Sequence, residues 1–398
     1  MRDSGEMSLY ARRMNGNGNM QRVAALAASI AVNASFGALY AWSVFVPALE
    51  SELSVSRTEI SAVFSLAIAA FMTGNLTSAA LFGRIPAPFL PLISGVLAAV
   101  GLNMGASGDY LHLLIGFGLI FGFAAGLAYN AALQLAQAAL ISRPGLANGL
   151  VISAFALGGT IAAAVLAPNI ETVGALPTLA VLGTTVAVIV AAASLVLFFT
   201  ASRLERVTWT GMPKEDRRIL GISWLGFLLG TFSGLIAIGH AAPIILHFGG
   251  TAAGAVLGAT LIGLGNALGR FSAGALSDII GVRSTAGLAH LIGAGGFMFV
   301  LASPDATGAM LTVVIEGFAY GMASSAYPSA PAILLPRNTH GRNFALLLTA
   351  WGIAGLTGPY LGGFFYDLSG DYRIALEFGC VASMFALINA MRLPRKVT

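Results

Sequence analysis

The residue best equipped for chemistry in this sequence is an arginine placed where arginine is expensive. Arg270 lies inside an apolar run of the second half of the chain, and a charged side chain at membrane depth costs between about 2.5 and more than 10 kcal/mol. A permanent cation with a planar fork of donors, held away from water, is a receptor for a carboxylate. Asp278 follows eight residues later, about 12 Å along a helix at 1.5 Å per residue. Snorkelling of Arg270 to that interface is therefore the competing reading. Glu316 reads as the only other ionisable group well inside an apolar run. A charged acid is costly there, so Glu316 is either a candidate proton carrier or a neutral core acid.

Polar side chains also line up at helical spacing. Asn33, Gly37 and Tyr40 share one face, as do Asn130, Gln134 and Gln137 with Tyr129 beside them. Glu316, Tyr320, Ser324 and Tyr327 form a third stripe. A single polar residue in such a helix serves an interhelical hydrogen bond worth about 0.6 kcal/mol. Three aligned stripes, two of them with tyrosines, point instead to a polar cavity. The glycines between Gly263 and Gly269 lie in an apolar run with no strand before them, so they form no nucleotide-binding turn. No group of His, Cys and acids has metal-ligand spacing, and no nucleophile has a base nearby. The expected chemistry is binding: no enzyme, no metal and no cofactor.

The elements that must position these residues follow from composition. Of 398 residues, 57% are hydrophobic and 9% charged, against roughly 25% charged in a soluble domain. So little charge cannot cover a water-facing surface, and the solvent must be lipid. The 50 glycines suit close helix packing in a membrane. One cysteine, Cys380, rules out a disulfide framework. Nothing supports nucleic-acid binding.

Twelve apolar stretches can cross the bilayer, near 22–48, 59–82, 88–107, 111–140, 145–167, 176–199, 219–246, 251–276, 284–303, 307–335, 342–366 and 373–392. The first is too long for a signal peptide and lacks a cleavage site. With the N-terminus inside, 17 of the 20 Lys and Arg fall on the cytoplasmic side. Arg57 and Arg373 alone face outward, and Arg270 lies within span 8. The expected molecule is an all-α polytopic protein of the bacterial inner (plasma) membrane, a monomer with both termini cytoplasmic. Its parts are an N-terminal tail (1–21), a six-helix half (22–199), a cytoplasmic linker (200–218), a second six-helix half (219–392) and a tail (393–398).

The halves are copies. GFAAGLA at Gly122 recurs as GFAYGMA at Gly317, an offset of 195; SAFALGG at Ser153 matches TAWGIAG at Thr349, and SAALF at Ser78 matches SAGAL at Ser272, with offsets of 196 and 194. Six spans is an even number, so the repeat is parallel, with a ligand site expected between the halves near the midplane.

Two such halves resemble the major facilitator superfamily. GALSDIIGVR, with Gly274, Asp278, Gly281 and Arg283, looks like that superfamily's loop between spans 8 and 9. The resemblance implies a cytoplasmic latch in which Asp278 meets a helix N-terminus and arginines. The equivalent first-half loop, LFGRIPAP from Leu81, has Gly83 and Arg84 but no acid. YAWSVF at Tyr40, EISAVFSL at Glu59, NALGRFSAGALSD at Asn266 and TAWGIAGLTGPYLGGFFYDLSGDY at Thr349 together resemble the oxalate/formate antiporter family, a relative of the monocarboxylate transporters. Those families hold the substrate carboxylate on an arginine at the position of Arg270. The oxalate exchangers add a lysine where this chain has Trp351, which favours a single carboxylate here. Proton-coupled relatives often have an aspartate where this chain has Asn266, which cannot titrate.

The resulting expectation is an alternating-access carrier of small organic anions, with a monocarboxylate favoured. It would work by exchange or with protons as co-substrate, Glu316 being the candidate coupling acid. Arg270 would anchor the substrate, with Asn266, Tyr40, Tyr129, Asn130, Tyr327 and Trp351 shaping the site. A non-transporting sensor on the same fold and a carrier of neutral solutes stay open as alternatives.

Overall fold

The computed structural model describes residues 3–55, 57–200, 204 and 211–395. Arg2, Arg203, Arg206 and Lys396 of the charge pattern lie outside those residues, as do residues 201–203 and 205–210 of the expected linker. The described chain forms twelve spans. Span 1 is the helix Asp3–Phe36, a 3-10 turn Gly37–Ala41 and the helix Trp42–Leu53. Spans 2 and 3 are Arg57–Leu81 and Phe89–Gly105. Span 4 runs from Tyr110–Leu113 through a π-helical segment, Leu114–Phe121, into Gly122–Ala139. Spans 5 and 6 are Pro144–Val173 and Ala175–Phe198. Span 7 is broken into Lys214–Gly239 and Ala241–His247, and span 8 is Ala252–Ile279. Gly281–Ala302, Ala306–Leu334, His340–Ser369 and Arg373–Ala390 are spans 9 to 12.

Ten helices among the described residues are long and apolar enough to cross a membrane; the other two spans are Phe89–Gly105 and Ala252–Ile279. Large apolar side chains stand exposed along spans 6, 9 and 12, among them Val181, Val188, Leu195, Leu291, Met298, Phe385 and Ile388. Such a girdle faces lipid rather than water. The expected N-terminal tail differs in one respect, because the helix of span 1 already begins at Asp3.

The repeat seen in sequence is a repeat of contacts. A Cβ on Gly122 would overlap the Ala67 backbone, and one on Gly317 would overlap Ile262. Gly126 meets the carbonyl of Phe71 as Gly321 meets that of Asn266, and Gly74 meets the carbonyl of Phe123 as Gly269 meets that of Phe318. Every partner is displaced by the same 195 residues. Glycine is needed at these six positions because span 2 touches span 4, and span 8 touches span 10, backbone to backbone. The twins of Arg270 and Ser324 under this relation are Asn75 and Tyr129.

Local breaks have identifiable causes. Pro243 lacks an N–H, and its ring excludes the carbonyl four residues back, so span 7 breaks at His240. His240 then bonds the carbonyl of Pro359 in span 11 at 2.8 Å. Asp305 caps span 10, where the Gly308 N–H and the Ser303 hydroxyl hold its carboxyl below the usual carboxylate range. Span 6 is capped from a distance: the Glu52 carboxylate at the end of span 1 accepts from Ala175 N at 2.5 Å and Leu176 N at 3.1 Å.

Candidate functional site

Arg270 is 3% exposed, so its guanidinium stays in the interior rather than reaching an interface. Its Nε donates to Asn266 Oδ1, one turn earlier, at 2.7 Å. The hydroxyls of Tyr40 and Tyr129 lie close to the guanidinium. The Tyr320 ring lies beneath it, 5.7 Å from Cζ to the ring centroid. Among the described residues no carboxylate forms an ion pair with Arg270. A buried cation surrounded by hydroxyls and rings has the chemistry to accept an anionic partner.

Each partner is delivered by a particular backbone feature. Tyr40 sits in the 3-10 turn of span 1, which approaches span 5 closely because Gly37 and Gly159 have no side chains. Tyr129 projects from span 4 one turn beyond the Gly122 and Gly126 contacts with span 2. Trp351 of span 11 donates from Nε1 to the Tyr320 hydroxyl at 2.9 Å, which fixes both rings. Gly352 leaves room for Met72 of span 2 beside it.

Arg270, Tyr40, Tyr129 and Trp351 line a cavity between the halves, together with Phe71, Phe155, Phe227, Ser324, Pro328 and Leu348. Its aromatic wall is continuous: Phe71 lies 5.3 Å from Tyr129, 6.0 Å from Phe155 and 5.8 Å from Trp351, ring centroid to ring centroid. The sequence gives no sign of these phenylalanines, because a cavity-facing Phe and a lipid-facing Phe are the same letter.

The other expected site residues are arranged differently. Asn266 acts through Arg270. Asn130 is fully buried and donates to the Asn75 carbonyl at 3.1 Å and the Gly341 carbonyl at 3.4 Å, outside the cavity wall. Tyr327 turns behind span 10, where its hydroxyl meets His290 Nε2 at 2.8 Å in the notch left by Gly226. His290 is a buried ionisable group inside span 9 that the sequence reading passes over. Its signal is a histidine in the middle of an apolar run. Glu316 is 1% exposed and packs toward Gly293 and Gly296 of span 9, with no partner for Oε1. It too faces away from the cavity.

The halves are sealed at the end that bears the chain termini. Asp278 accepts from Gly145 N at 2.9 Å and Leu146 N at 2.8 Å, at the N-terminus of span 5. Gly145 and Gly149 of span 5 pack directly on Gly274 of span 8. Asn148 donates to the Pro328 carbonyl at 3.1 Å, and Ser153 to the Ala267 carbonyl at 3.2 Å. Gly281 takes φ +82° in the turn after span 8, a conformation that suits glycine. Arg283 donates to the Leu393 carbonyl at 3.4 Å, tying that turn to the end of span 12.

Over 92% of its length, the chain matches 98% of FucP, a major facilitator transporter solved in the outward conformation, with TM-score 0.74 and 13% identity. Residues 222–398 match the family model of the Major Facilitator Superfamily. The chain has the fold of the major facilitator transporters, and its second half matches their family model. It is a multi-pass membrane protein, and its relatives and structural neighbours are transporters. Its relatives include the MFS-type transporter YhjX of Escherichia coli K12, 24% identical over 83% of this chain and 85% of that one. Human monocarboxylate transporter 11 is 27% identical over 87% of this chain and 77% of its own.

Proposed function

We propose that the protein carries a small monocarboxylate across the membrane by alternating access, with Arg270 as the receptor of the carboxylate. The observation that carries this reading is the buried guanidinium facing a cavity between the halves, with no carboxylate paired to it among the described residues. Similarity to a monocarboxylate transporter supports the same class. The arginine-rich face that bears the termini is taken as cytoplasmic, so the sealed end is the inner one and the state is outward-facing. Uptake of labelled acids by proteoliposomes, with and without a pH gradient, tests the assignment. Failure of every small acid to be carried overturns it.

Selectivity follows from Trp351. Its indole stands where a second cation would be needed for a dianion, and an unpaired carboxylate is costly to bury. Monocarboxylates are expected to compete for uptake at least about tenfold better than oxalate-like diacids, and Trp351→Lys is expected to shift that balance toward the diacid. Equal competition in the parent protein contradicts this.

Exchange is the favoured mode. Glu316, the acid on which proton coupling would draw, lies behind span 10, and Asn266 beside Arg270 cannot titrate. Glu316→Gln is expected to retain counterflow of internal for external acid. Paired measurements of counterflow and of accumulation driven by a pH gradient decide the matter. Loss of gradient-driven accumulation alone in this variant would make Glu316 the proton carrier and the protein a symporter.

A further inference from the structure

Ser324 has a property that the carboxylate anchor leaves unexplained. Its side chain lines the cavity, it is 3% exposed, and its Oγ has no hydrogen-bond partner. Serines in apolar helices ordinarily turn the hydroxyl back to the carbonyl one turn earlier. Ser29, Ser94, Ser194, Ser277 and Ser329 all do so here. Pro328 follows four residues later and has no N–H for the Ser324 carbonyl. This turn of span 10 therefore holds a hydroxyl at the cavity without its usual helical partner, and a buried hydroxyl left unpaired costs free energy.

The distance to the anchor limits what fills that role. Tyr320, whose ring lies under the Arg270 guanidinium, marks the carboxylate end of the cavity. Ser324 lies four residues further along the same helix, about 6 Å at 1.5 Å per residue. A polar atom on the carbon next to the carboxylate is too near to bridge that gap, whereas a group across a ring matches it. The space between is walled by Phe71, Phe155, Phe227 and Trp351, which suit the faces and edges of an aromatic body. A second carboxylate at the far end would meet Leu348 and Pro328 and no cation.

We propose that Ser324 recognises a hydroxyl or carbonyl on the ring of an aryl monocarboxylate whose acid group is held by Arg270. The proposal rests on the anchor reading above and adds the chemistry of the far end. The test is titration calorimetry on the full-length protein in nanodiscs, with benzoate, 4-hydroxybenzoate and the neutral 4-hydroxybenzyl alcohol as probes. The parent protein is expected to bind 4-hydroxybenzoate about tenfold more tightly than benzoate, the size of one hydrogen bond to a buried group. In Ser324→Ala that ratio is expected to fall to about one. Equal binding of the two acids in the parent overturns the proposal while leaving the anchor intact, and so does a tenfold ratio that survives Ser324→Ala. Binding of the neutral alcohol as tight as that of the acid, and insensitive to Arg270→Ala, overturns the anchor and the proposal together. The comparison of acids in the parent needs no variant and can overturn the proposal on its own, and Ser324→Cys serves as a second variant where Ser324→Ala is poorly produced.

Discussion

Arg270→Ala is expected to weaken binding of every carried acid by at least about a hundredfold, within the 2–5 kcal/mol typical of removing one partner of a buried charge pair. Arg270→Lys is expected to recover only part of this, because an ammonium keeps the charge but loses the fork of donors that two carboxylate oxygens engage. Tyr40 and Tyr129 reach the guanidinium from the first half, so a lysine at 270 would also meet a cage shaped for a planar group. Calorimetry on detergent-purified variants measures the effect apart from transport. Unchanged affinity in Arg270→Ala would remove the anchor from the account. The empty protein, by contrast, is expected to gain stability in that variant, since it no longer buries an uncompensated cation.

The second large effect concerns the seal rather than the site. Gly274→Val is expected to drive the protein out of the state described here. A Cβ at 274 would overlap Gly149 Cα and the Gly145 carbonyl, and backbone atoms in two packed helices have nowhere to move. Overpacking of this kind costs about 1–3 kcal/mol, enough to shift a two-state equilibrium by roughly five- to 150-fold. A single cysteine at Ser153, in a Cys380→Ser background, reads the change through its reaction with an impermeant thiol reagent added from the face that bears the termini. Faster labelling in Gly274→Val is the expected result. An unchanged rate would mean that spans 5 and 8 do not close that face.

What the sequence made legible and what it hid divide along physical lines. The two halves were legible because their contacts are glycines, and a glycine that meets a backbone has no substitute. Gly122 and Gly317, or Gly126 and Gly321, therefore carry the repeat in plain letters. Arg270 was legible because its cost in a membrane singles it out. The stripe on span 10 was legible as a stripe but not as a division of labour. At about 100° per residue, Glu316, Tyr327, Tyr320 and Ser324 fan out in that angular order over roughly 80°. The first two fall on the edge that meets spans 7 and 9, Tyr320 packs between Gly234 of span 7 and the Arg270 guanidinium, and Ser324 faces the cavity. Sequence spacing alone gives the fan, while only the neighbouring helices say where it is cut. Phe71, Phe155 and Phe227 were invisible for the opposite reason, since nothing in an apolar letter distinguishes a wall from a lipid contact.

The partners of Arg270 also impose an order on how the protein is made. Span 8 must carry its arginine into the bilayer, and on its own helix the only help is Asn266. The hydroxyls of Tyr40 and Tyr129 belong to spans 1 and 4, which leave the ribosome well before span 8, whereas Tyr320 follows it. Chains fold from the N-terminus during synthesis, so the first half is in the membrane, with its hydroxyls presented, when the arginine arrives. The first half thus serves as an assembly template for the second, and the second half made alone would have to insert the cation with only Asn266 and Tyr320 beside it.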